Sequence, residues 1–214
     1  MPLILKVEQN SIRSEEVIRQ AAQFIRNGGI VAFPTETFYG LAALATDRQA
    51  VERLYLVKRR PVHKSFSLLI ANSAELHTYI ETFPPKAHRL TTRFWPGPLT
   101  LVFTASKHLP SNLTGSTGKI GVRISSHPVA QALVRAVGEP ITATSANRSG
   151  SPSCCSPDEV AAQLDGEVEA VLDGGLTPGG KASTIADVTT CPPKILRVGA
   201  IEPQEIFACW EGRV

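Results

Sequence analysis

The apolar residues of this chain follow two patterns that alternate along its length. Short apolar runs bounded by glycine, proline or polar residues predict buried strands. The predicted strands are 3–7, 30–33, 67–70, 99–104, 120–124, 141–144, 170–172, 183–188 and 195–198.

Apolar residues spaced three or four apart predict helices between these strands. Ser14 is the predicted N-cap of the first helix, which ends at Gly28, and Asp47 is the predicted N-cap of the second, which stops before Pro61. Further helices are predicted at 73–82, 85–94 and 128–137, from 156 onward and from 203 onward.

This alternation predicts an α/β fold built on one sheet. The connection between 99–104 and 120–124 has no helical pattern, so these strands are expected to pair antiparallel and the sheet to be mixed. No linker or internal repeat interrupts the pattern. We therefore expect a single domain over residues 1–214.

Composition limits the function classes. The 214 residues are 43% hydrophobic, which suffices for one substantial core, and the net charge of +3 permits an anionic ligand without requiring one. No segment approaches the ~20 apolar residues of a membrane span, and the N-terminus has no leader pattern. A soluble, cytoplasmic protein is expected.

A polar loop follows the strand at 30–33. It contains Thr35, Glu36, Thr37 and Tyr39 and closes on Gly40. Hydroxyl groups at the end of a buried strand are typical of a ligand site on a parallel sheet. A polar strand-to-helix loop with an N-cap would have the same composition. The loop alone leaves both interpretations open.

A cationic segment runs from Lys58 to Lys64 at the end of the second helix. Lysine together with arginine suits the phosphates of a nucleotide, but cations also favour helix C-termini without any ligand. Neither a P-loop nor a dinucleotide-binding glycine fingerprint is present in the sequence. Any triphosphate must therefore be held by side chains and isolated helix ends.

Polar residues also stand in or after other apolar strands. They are Arg123, the loop 144–153, the pair at 183–184 and Arg197. Each cluster alone is a weak signal, but together they predict a deep cleft lined from many strand ends.

Strong acid–base, covalent or metal chemistry has little support. The histidines and the four cysteines (154, 155, 191 and 209) lack metal-ligand spacing, and no catalytic triad stands out. Glu36, Asp173 and Asp187 are the candidate carboxylates near the polar clusters. The chemistry is therefore expected to rest on positioning and charge neutralisation, and the thiols are interpreted as incidental.

The clusters, in this order, resemble the YrdC/Sua5 family of threonylcarbamoyl-AMP synthases. The matching segments are Pro34–Leu41, Lys58-x-Arg60-Pro61, Trp95–Thr100, Val122-Arg123-Ile124, Ser145-Ala146-Asn147, Asp173-Gly174-Gly175, Ser183-Thr184-Ile185 and Arg197-x-Gly199. They span about residues 10–200, and the resemblance is to the short, single-domain form.

The resemblance implies a twisted mixed α/β sheet around a large basic cavity. It also implies that L-threonine, bicarbonate or CO2, and ATP are converted to threonylcarbamoyl-AMP and pyrophosphate. The product would serve a downstream transferase complex in the threonylcarbamoyl modification of an adenosine in tRNA. Mg²⁺ is expected with the ATP and needs few protein ligands.

The same resemblance assigns roles to individual residues. Lys58 and Arg60 are the expected catalytic cations, which neutralise phosphates. The expected threonine contacts are Thr35, Ser67, Arg123, Ala143 through its backbone, and Ser183. The expected nucleotide contacts are Lys58, Val62 through its backbone, Lys119, Ser145, Asn147, Ser153 and Arg197.

Three positions depart from the family pattern. Lys119 replaces a usual threonine, Ser65-Phe66 replaces a usual Pro-Leu, and Ala182 replaces a proline. Lys119 could add a phosphate contact.

Two other functions fit the same residues. One is a non-catalytic module of this fold that binds tRNA or another RNA through the basic cleft. The other is a related enzyme that forms a carbamoyl-adenylate. RNA affinity that falls steeply with salt would support the first, and use of carbamoyl phosphate would support the second.

Overall fold

The computed structural model describes residues 1–8 and 12–213. The strands are β1 (Leu3–Lys6), β2 (Val31–Phe33), β3 (Gly40–Ala42), β4 (Ser67–Leu69), β5 (Leu99–Thr104), β6 (Lys119–Arg123), β7 (Ile141–Ser145), β8 (Ala170–Asp173), β9 (Thr184–Asp187) and β10 (Lys194–Arg197). The α-helices are α1 (Ile12–Arg26), α2 (Arg48–Lys58), α3 (Leu76–Tyr79), α4 (Ala87–Phe94), α5 (Pro128–Val137), α6 (Pro157–Leu164) and α7 (Pro203–Glu211). The expected single domain and motif range include residues 9–11 and 214, which lie outside the described residues.

Within the described residues, the strands form one sheet in the order β1-β8-β2-β3-β7-β4-β6-β5-β9-β10. The pairs β1–β8, β8–β2, β4–β6 and β5–β9 are parallel, and the remaining neighbours are antiparallel. The mixed sheet predicted from the sequence is confirmed, including the antiparallel pairing of β5 with β6.

The two faces of the sheet are covered differently. One face carries the main core, where Leu68, Val122 and Ala186 meet residues of α2, α4, α6 and α7. On the opposite face, α1 and α5 pack over Val31 and Leu69 at one end of the sheet. Because successive strand residues point to opposite faces, the same face continues beyond these helices over β4, β6, β5 and β9. The functional cavity lies there.

Local signals explain several helix ends. The side chain of Asp47 accepts hydrogen bonds from the amides of Gln49 and Ala50, as expected of an N-cap. Ser156 caps α6 through the amide of Glu159, with proline at the first helical position. These predicted starts are confirmed because each depends on residues adjacent in sequence.

Three local predictions are wrong. Ser14 is not an N-cap, since α1 begins at Ile12 and the Ser14 hydroxyl instead bonds the backbone of Glu8. The helix predicted at 73–82 is a 3-10 turn followed by the four-residue α3. Strand β3 was missed: it pairs antiparallel with β2, so the loop after β2 leads back into the sheet instead of into a helix.

No helix among the described residues is long and apolar enough to cross a bilayer.

Candidate active site

A cavity of about 510 Å³ opens on the part of the sheet face that α1 and α5 leave uncovered. Alternate residues of the strands line it, such as Thr100 and Val102 of β5 and Gly121 and Arg123 of β6. The intervening residues, Leu101 and Val122, belong to the main core. The predicted cleft therefore exists, but it is built on a face of the sheet as well as at strand ends.

The cavity is strongly cationic. Arg60, Lys119, Arg123 and Arg197 line it, and Asp187 is the lining carboxylate among the described residues. Clustered arginines and lysines with few compensating carboxylates suit a polyanion such as a nucleotide. This excess of positive charge agrees with the basic cavity that the sequence predicts.

Arg123 lies almost fully buried on the cavity wall. Its Nη1 atom is 3.5 Å from Oε1 of Glu36, and the two side chains are 7% and 15% exposed. Burial lowers the pKa of Arg123, and the Glu36 charge opposes that shift. Glu36 therefore has a partner, although the sequence assigned it no role.

Arg197 lines the cavity and is held by Ser183. Its Nε and Nη2 atoms donate to the main-chain oxygen of Ser183, at 3.0 and 2.8 Å, and Nη2 also donates to the Ser183 hydroxyl at 2.9 Å. The hydroxyls of Ser183 and Thr100 are 3.0 Å apart. Burial, with the nearby charge of Arg123, lowers the pKa of Arg197. Thr100 is a lining residue that the sequence interpretation missed, although a threonine within a buried strand was a usable signal.

Thr35 and Thr37 shape the loop between β2 and β3. The Thr35 hydroxyl donates to the main-chain oxygen of Phe38 at 2.7 Å and accepts from the amide of Thr37 at 3.1 Å. Both residues line the cavity. The N-cap alternative is wrong, because this loop joins two strands, and Thr35 organises a turn at the cavity wall.

Lys58 does not line the cavity. It is 2% exposed, and its Nζ atom donates to the main-chain oxygen of Asn147 at 2.7 Å and to that of Ser145. Burial, together with the charge of Arg60, lowers the pKa of Lys58 to about 7. The Ser145 hydroxyl in turn donates to the Asn147 side chain. Lys58 and Asn147 thus lie behind the wall, whereas Ser145 is on it.

The segment after α2 carries Arg60 into the cavity. The Arg60 guanidinium donates to the main-chain oxygens of Lys64 and Ser65, at 3.2 and 2.8 Å, and stacks 5.1 Å from the ring centre of Phe66. Val62 in the same segment is 74% exposed and does not line the cavity.

Lys119 forms an ion pair within the cavity. Its Nζ atom is 2.7 Å from Oδ2 of Asp187 and 2.8 Å from the hydroxyl of Thr189. Burial alone would raise the pKa of Asp187, but its hydrogen bonds to Lys119 and Thr189 hold it below the usual value. Part of the Lys119 charge is therefore already balanced. Asp173 has another role, since it accepts from the amide of Gly175 in a turn.

The structure brings most of the predicted site residues to this one cavity. They are Thr35, Arg60, Ser67, Lys119, Arg123, Ala143, Ser145, Ser153, Ser183 and Arg197. Lys58, Val62 and Asn147 are not on its surface. No group of three or more potential metal-ligating side chains occurs within residues 1–8 and 12–213.

Fold and site together define an α/β protein with a deep cationic cavity on one sheet face, suited to binding an anionic ligand. A family model described as "Telomere recombination" (Sua5/yciO/yrdC) matches residues 23–199. The chain therefore belongs to the Sua5/YciO/YrdC family.

Individual relatives agree with this assignment. The chain is 43% identical over 207 residues to the threonylcarbamoyl-AMP synthase of Pyrococcus abyssi, covering 96% of this chain and 60% of that protein. It is 38% identical over 186 residues to the enzyme of the same name from Vibrio cholerae, covering 86% of this chain and 98% of that protein.

A solved structure has the same fold. The crystal structure of P. abyssi Sua5 complexed with L-threonine superimposes with a TM-score of 0.92 at 42% identity, covering 97% of this chain and 60% of that one. This chain thus spans about three-fifths of the length of its Pyrococcus relative and nearly all of its Vibrio relative.

Proposed function

We propose that the protein is an L-threonylcarbamoyladenylate synthase, a nucleotidyltransferase that uses L-threonine, bicarbonate or CO2, and ATP. The observation that carries this proposal is the cavity, where Arg60, Lys119, Arg123 and Arg197 converge. The carboxylate of an α-amino acid and the triphosphate of ATP are both anionic. A cavity lined by these four cationic side chains is therefore suited to bind them. The names of the relatives and the threonine complex of one of them support the same substrates.

The reaction needs two bond-forming steps. The neutral threonine amine attacks the carbon of bicarbonate or CO2 and forms a carbamate, with loss of water in the case of bicarbonate and release of a proton to solvent in the case of CO2. A carbamate oxygen then attacks the α-phosphorus of ATP while the bond to the β-phosphate breaks, which releases pyrophosphate. The second step brings two anions together, as does the first when bicarbonate is used, so fixed cations lower the barrier by offsetting repulsion and holding the reactants in line.

The threonine end is proposed to lie near Arg123. Its guanidinium is suited to the substrate carboxylate because arginine grips a carboxylate with two parallel hydrogen bonds. Thr35, Ser67 and Ser183 offer hydroxyl groups on the surrounding wall, and Ala143 offers its backbone.

The nucleotide end is proposed to lie along Ser145, Ser153 and Arg197, with Arg60 directed at the phosphates. Lys58 and Asn147 support this wall from behind, so their contribution is proposed to act through the loop that contains Ser145. Val62 contributes only if the exposed segment around it moves toward the cavity when ATP binds.

Mg²⁺ is proposed to enter with ATP. Asp187 is the lining carboxylate, and its oxygens already accept bonds from Lys119 and Thr189. Phosphate oxygens and water commonly supply most Mg²⁺ ligands at such sites, so no protein ligand is assigned. When bound, the ion would neutralise phosphate charge and favour the departure of pyrophosphate.

The product is proposed to be handed to a threonylcarbamoyl transferase that modifies tRNA in the cytoplasm. Direct contact of this chain with tRNA belongs to the same proposal and would be tested by binding at increasing salt concentrations.

The deciding experiment measures pyrophosphate release with Mg²⁺ and identifies the nucleotide product by mass spectrometry. We expect release only when threonine, bicarbonate and ATP are all present, with a product of the mass of threonylcarbamoyl-AMP. Equal pyrophosphate release without threonine would refute the proposal. Replacing threonine and bicarbonate with carbamoyl phosphate provides the control for a related carbamoyl-adenylate activity.

A further inference from the structure

Glu36 lies directly behind the guanidinium proposed to bind the threonine carboxylate. Its Oε1 atom is 3.5 Å from Nη1 of Arg123, and neither side chain is more than 15% exposed. Arg123 lines the cavity but Glu36 does not. Glu36 therefore does not touch a ligand in the cavity itself, and Arg123 is a lining side chain that it contacts.

The Glu36 carboxylate is anchored to the start of α5. The Ser125 hydroxyl donates to Oε2 of Glu36. The same hydroxyl accepts from the amide of His127 at 3.2 Å, and the Gln131 side chain donates to the main-chain oxygen of Ser125 at 2.8 Å. The carboxylate is thus tied to α5, which packs with α1 over Val31 and Leu69, and this restricts its movement.

Arg123 has few other partners. Within the part of the chain that the structure describes, its Nε atom is buried without a hydrogen-bond partner. The charge of Arg123 contributes to lowering the pKa of Arg197, so these two cations repel each other across the cavity. Among the described residues Oε1 of Glu36 also has no hydrogen-bond partner. The two side chains therefore form a buried ion pair at 3.5 Å that balances the charge of Arg123, and the guanidinium retains unused donors.

We propose that Glu36 is a positioning residue that holds Arg123 in the orientation in which it grips the threonine carboxylate. This inference rests on the proposed function, because it concerns the threonine end of that site. A buried guanidinium without a fixed anion beside it can adopt other rotamers, and ordering it when substrate binds then costs affinity.

The inference predicts a difference between the two substrates. In Glu36→Gln the amide can still accept from Ser125, but the charge facing Arg123 is lost. We expect the KM for threonine to rise about tenfold. The interaction free energy between two residues in direct contact is commonly large enough for a change of this size. The KM for ATP should stay within about twofold, because the side chains that Glu36 contacts, Arg123 and Ser125, are not proposed nucleotide contacts.

Matched variants separate positioning from general damage. Glu36→Asp keeps the charge and should recover part of the threonine affinity. Ser125→Ala removes the anchor but leaves Glu36 and Arg123 in place, and it should raise the threonine KM in the same direction by a smaller factor. Glu169→Gln breaks another Glu–Arg pair, with Arg53 at 2.6 Å and away from the cavity, and should change neither KM.

Pyrophosphate release by the full chain is measured with each substrate varied in turn, together with thermal unfolding. If the wild type shows no threonine dependence, the proposed function fails, and this inference fails with it. If the wild type depends on threonine but Glu36→Gln raises neither KM, or raises both equally, only the positioning role fails. If Glu36→Gln does not fold, the threonine KM of Ser125→Ala decides in its place.

Discussion

The side-chain nitrogen of Lys58 lies 2.7 Å from the main-chain oxygen of Asn147. This contact joins the last residue of α2 to the loop after β7. A second bond runs back, since the amide of Ser149 donates to the main-chain oxygen of Lys58 at 2.8 Å. The lysine expected to face phosphates therefore fixes the shape of the loop that presents Ser145 to the cavity.

Replacing Lys58 by methionine should weaken ATP binding through this loop. Methionine fills a similar volume but leaves the carbonyl oxygens of Ser145 and Asn147 without their donor, and an unpaired buried group costs ~1–3 kcal/mol. We expect the KM for ATP to rise at least about tenfold. Lys64→Met, at an exposed lysine of the same cationic segment, is the control. Equal effects of both variants would show that only net charge matters.

Lys58 should also make stability depend on pH. Its pKa in the folded protein is lowered to about 7, whereas the unfolded chain has the ordinary value of 10.5. The unfolded state therefore binds more protons above pH 7, and the free energy of unfolding contributed by Lys58 rises with pH. Urea unfolding between pH 7 and about 8, below the ordinary thiol pKa of about 8.5, should show a steeper rise for the wild type than for Lys58→Met. Parallel profiles would contradict the prediction.

Arg60→Ala should reduce kcat/KM for pyrophosphate release by about 100-fold or more, since it removes a preorganised cation from the proposed phosphate site. Arg60→Lys should recover little, because lysine cannot make the paired bonds to the backbone of Lys64 and Ser65. Arg59→Ala, at the exposed neighbouring position, should remain active. Unchanged activity of Arg60→Ala would remove this residue from the site.

Gly121→Ala should affect the threonine end of the cavity. A Cβ atom at this position would lie 2.7 Å from the Ser67 hydroxyl and 3.0 Å from Cγ2 of Thr100. The Ser67 hydroxyl can rotate away, so the fold should survive, but a proposed threonine contact is displaced. We expect the threonine KM to rise about tenfold with little change in the unfolding temperature. Ser67→Ala separates the loss of the hydroxyl from the filling of the space, and a change confined to the ATP KM would place threonine elsewhere.

Lys119→Met should destabilise the protein more than it weakens ATP binding. It removes a hydrogen-bonded partner from Asp187, whose side chain is 8% exposed. Because Lys119 is itself partly exposed and Thr189 still bonds Asp187, we expect a loss of only about 1 kcal/mol in the free energy of unfolding at pH 7.

The Lys119 effect has a defined pH dependence. The pKa of Asp187 is lowered in the folded protein, so the stabilisation is present above its ordinary value and is lost as the pH falls through the lowered one. The difference between wild type and Lys119→Met should therefore shrink at acidic pH. A large rise in the ATP KM instead would indicate that Lys119 contacts a phosphate.

Elements that depend on neighbouring residues could be predicted from the sequence. The caps at Asp47 and Ser156 follow from side chains within a few residues. The antiparallel β5–β6 pair follows from the lack of a helical pattern in the connection 105–118. Strand β3 could not be predicted this way. Its sequence, Gly-Leu-Ala, is short and carries no strand propensity of its own. It is a strand because β2 and β7 pair with it on either side.

In the site, too, some features follow from the sequence and others only from tertiary packing. The family motifs identified the residues that line the cavity, but they did not distinguish Ser145, on its surface, from Lys58, behind it. Both are polar residues at the ends of regular elements. Only the packing of α2 against the loop after β7 decides that the Lys58 side chain is enclosed.

The sequence by itself determined the α/β class, most element positions and the set of polar residues available to a site, because hydrophobic periodicity and capping act over short distances. The tertiary structure decided the strand order and which part of the sheet face stays uncovered. It also decided which polar residues reach the cavity surface and which lie behind it. Period-two alternation tells which residues share a face, but the covering of that face by α1 and α5 depends on contacts between distant segments. For the same reason Glu36 and Arg123, far apart in the chain, become partners only in the folded protein.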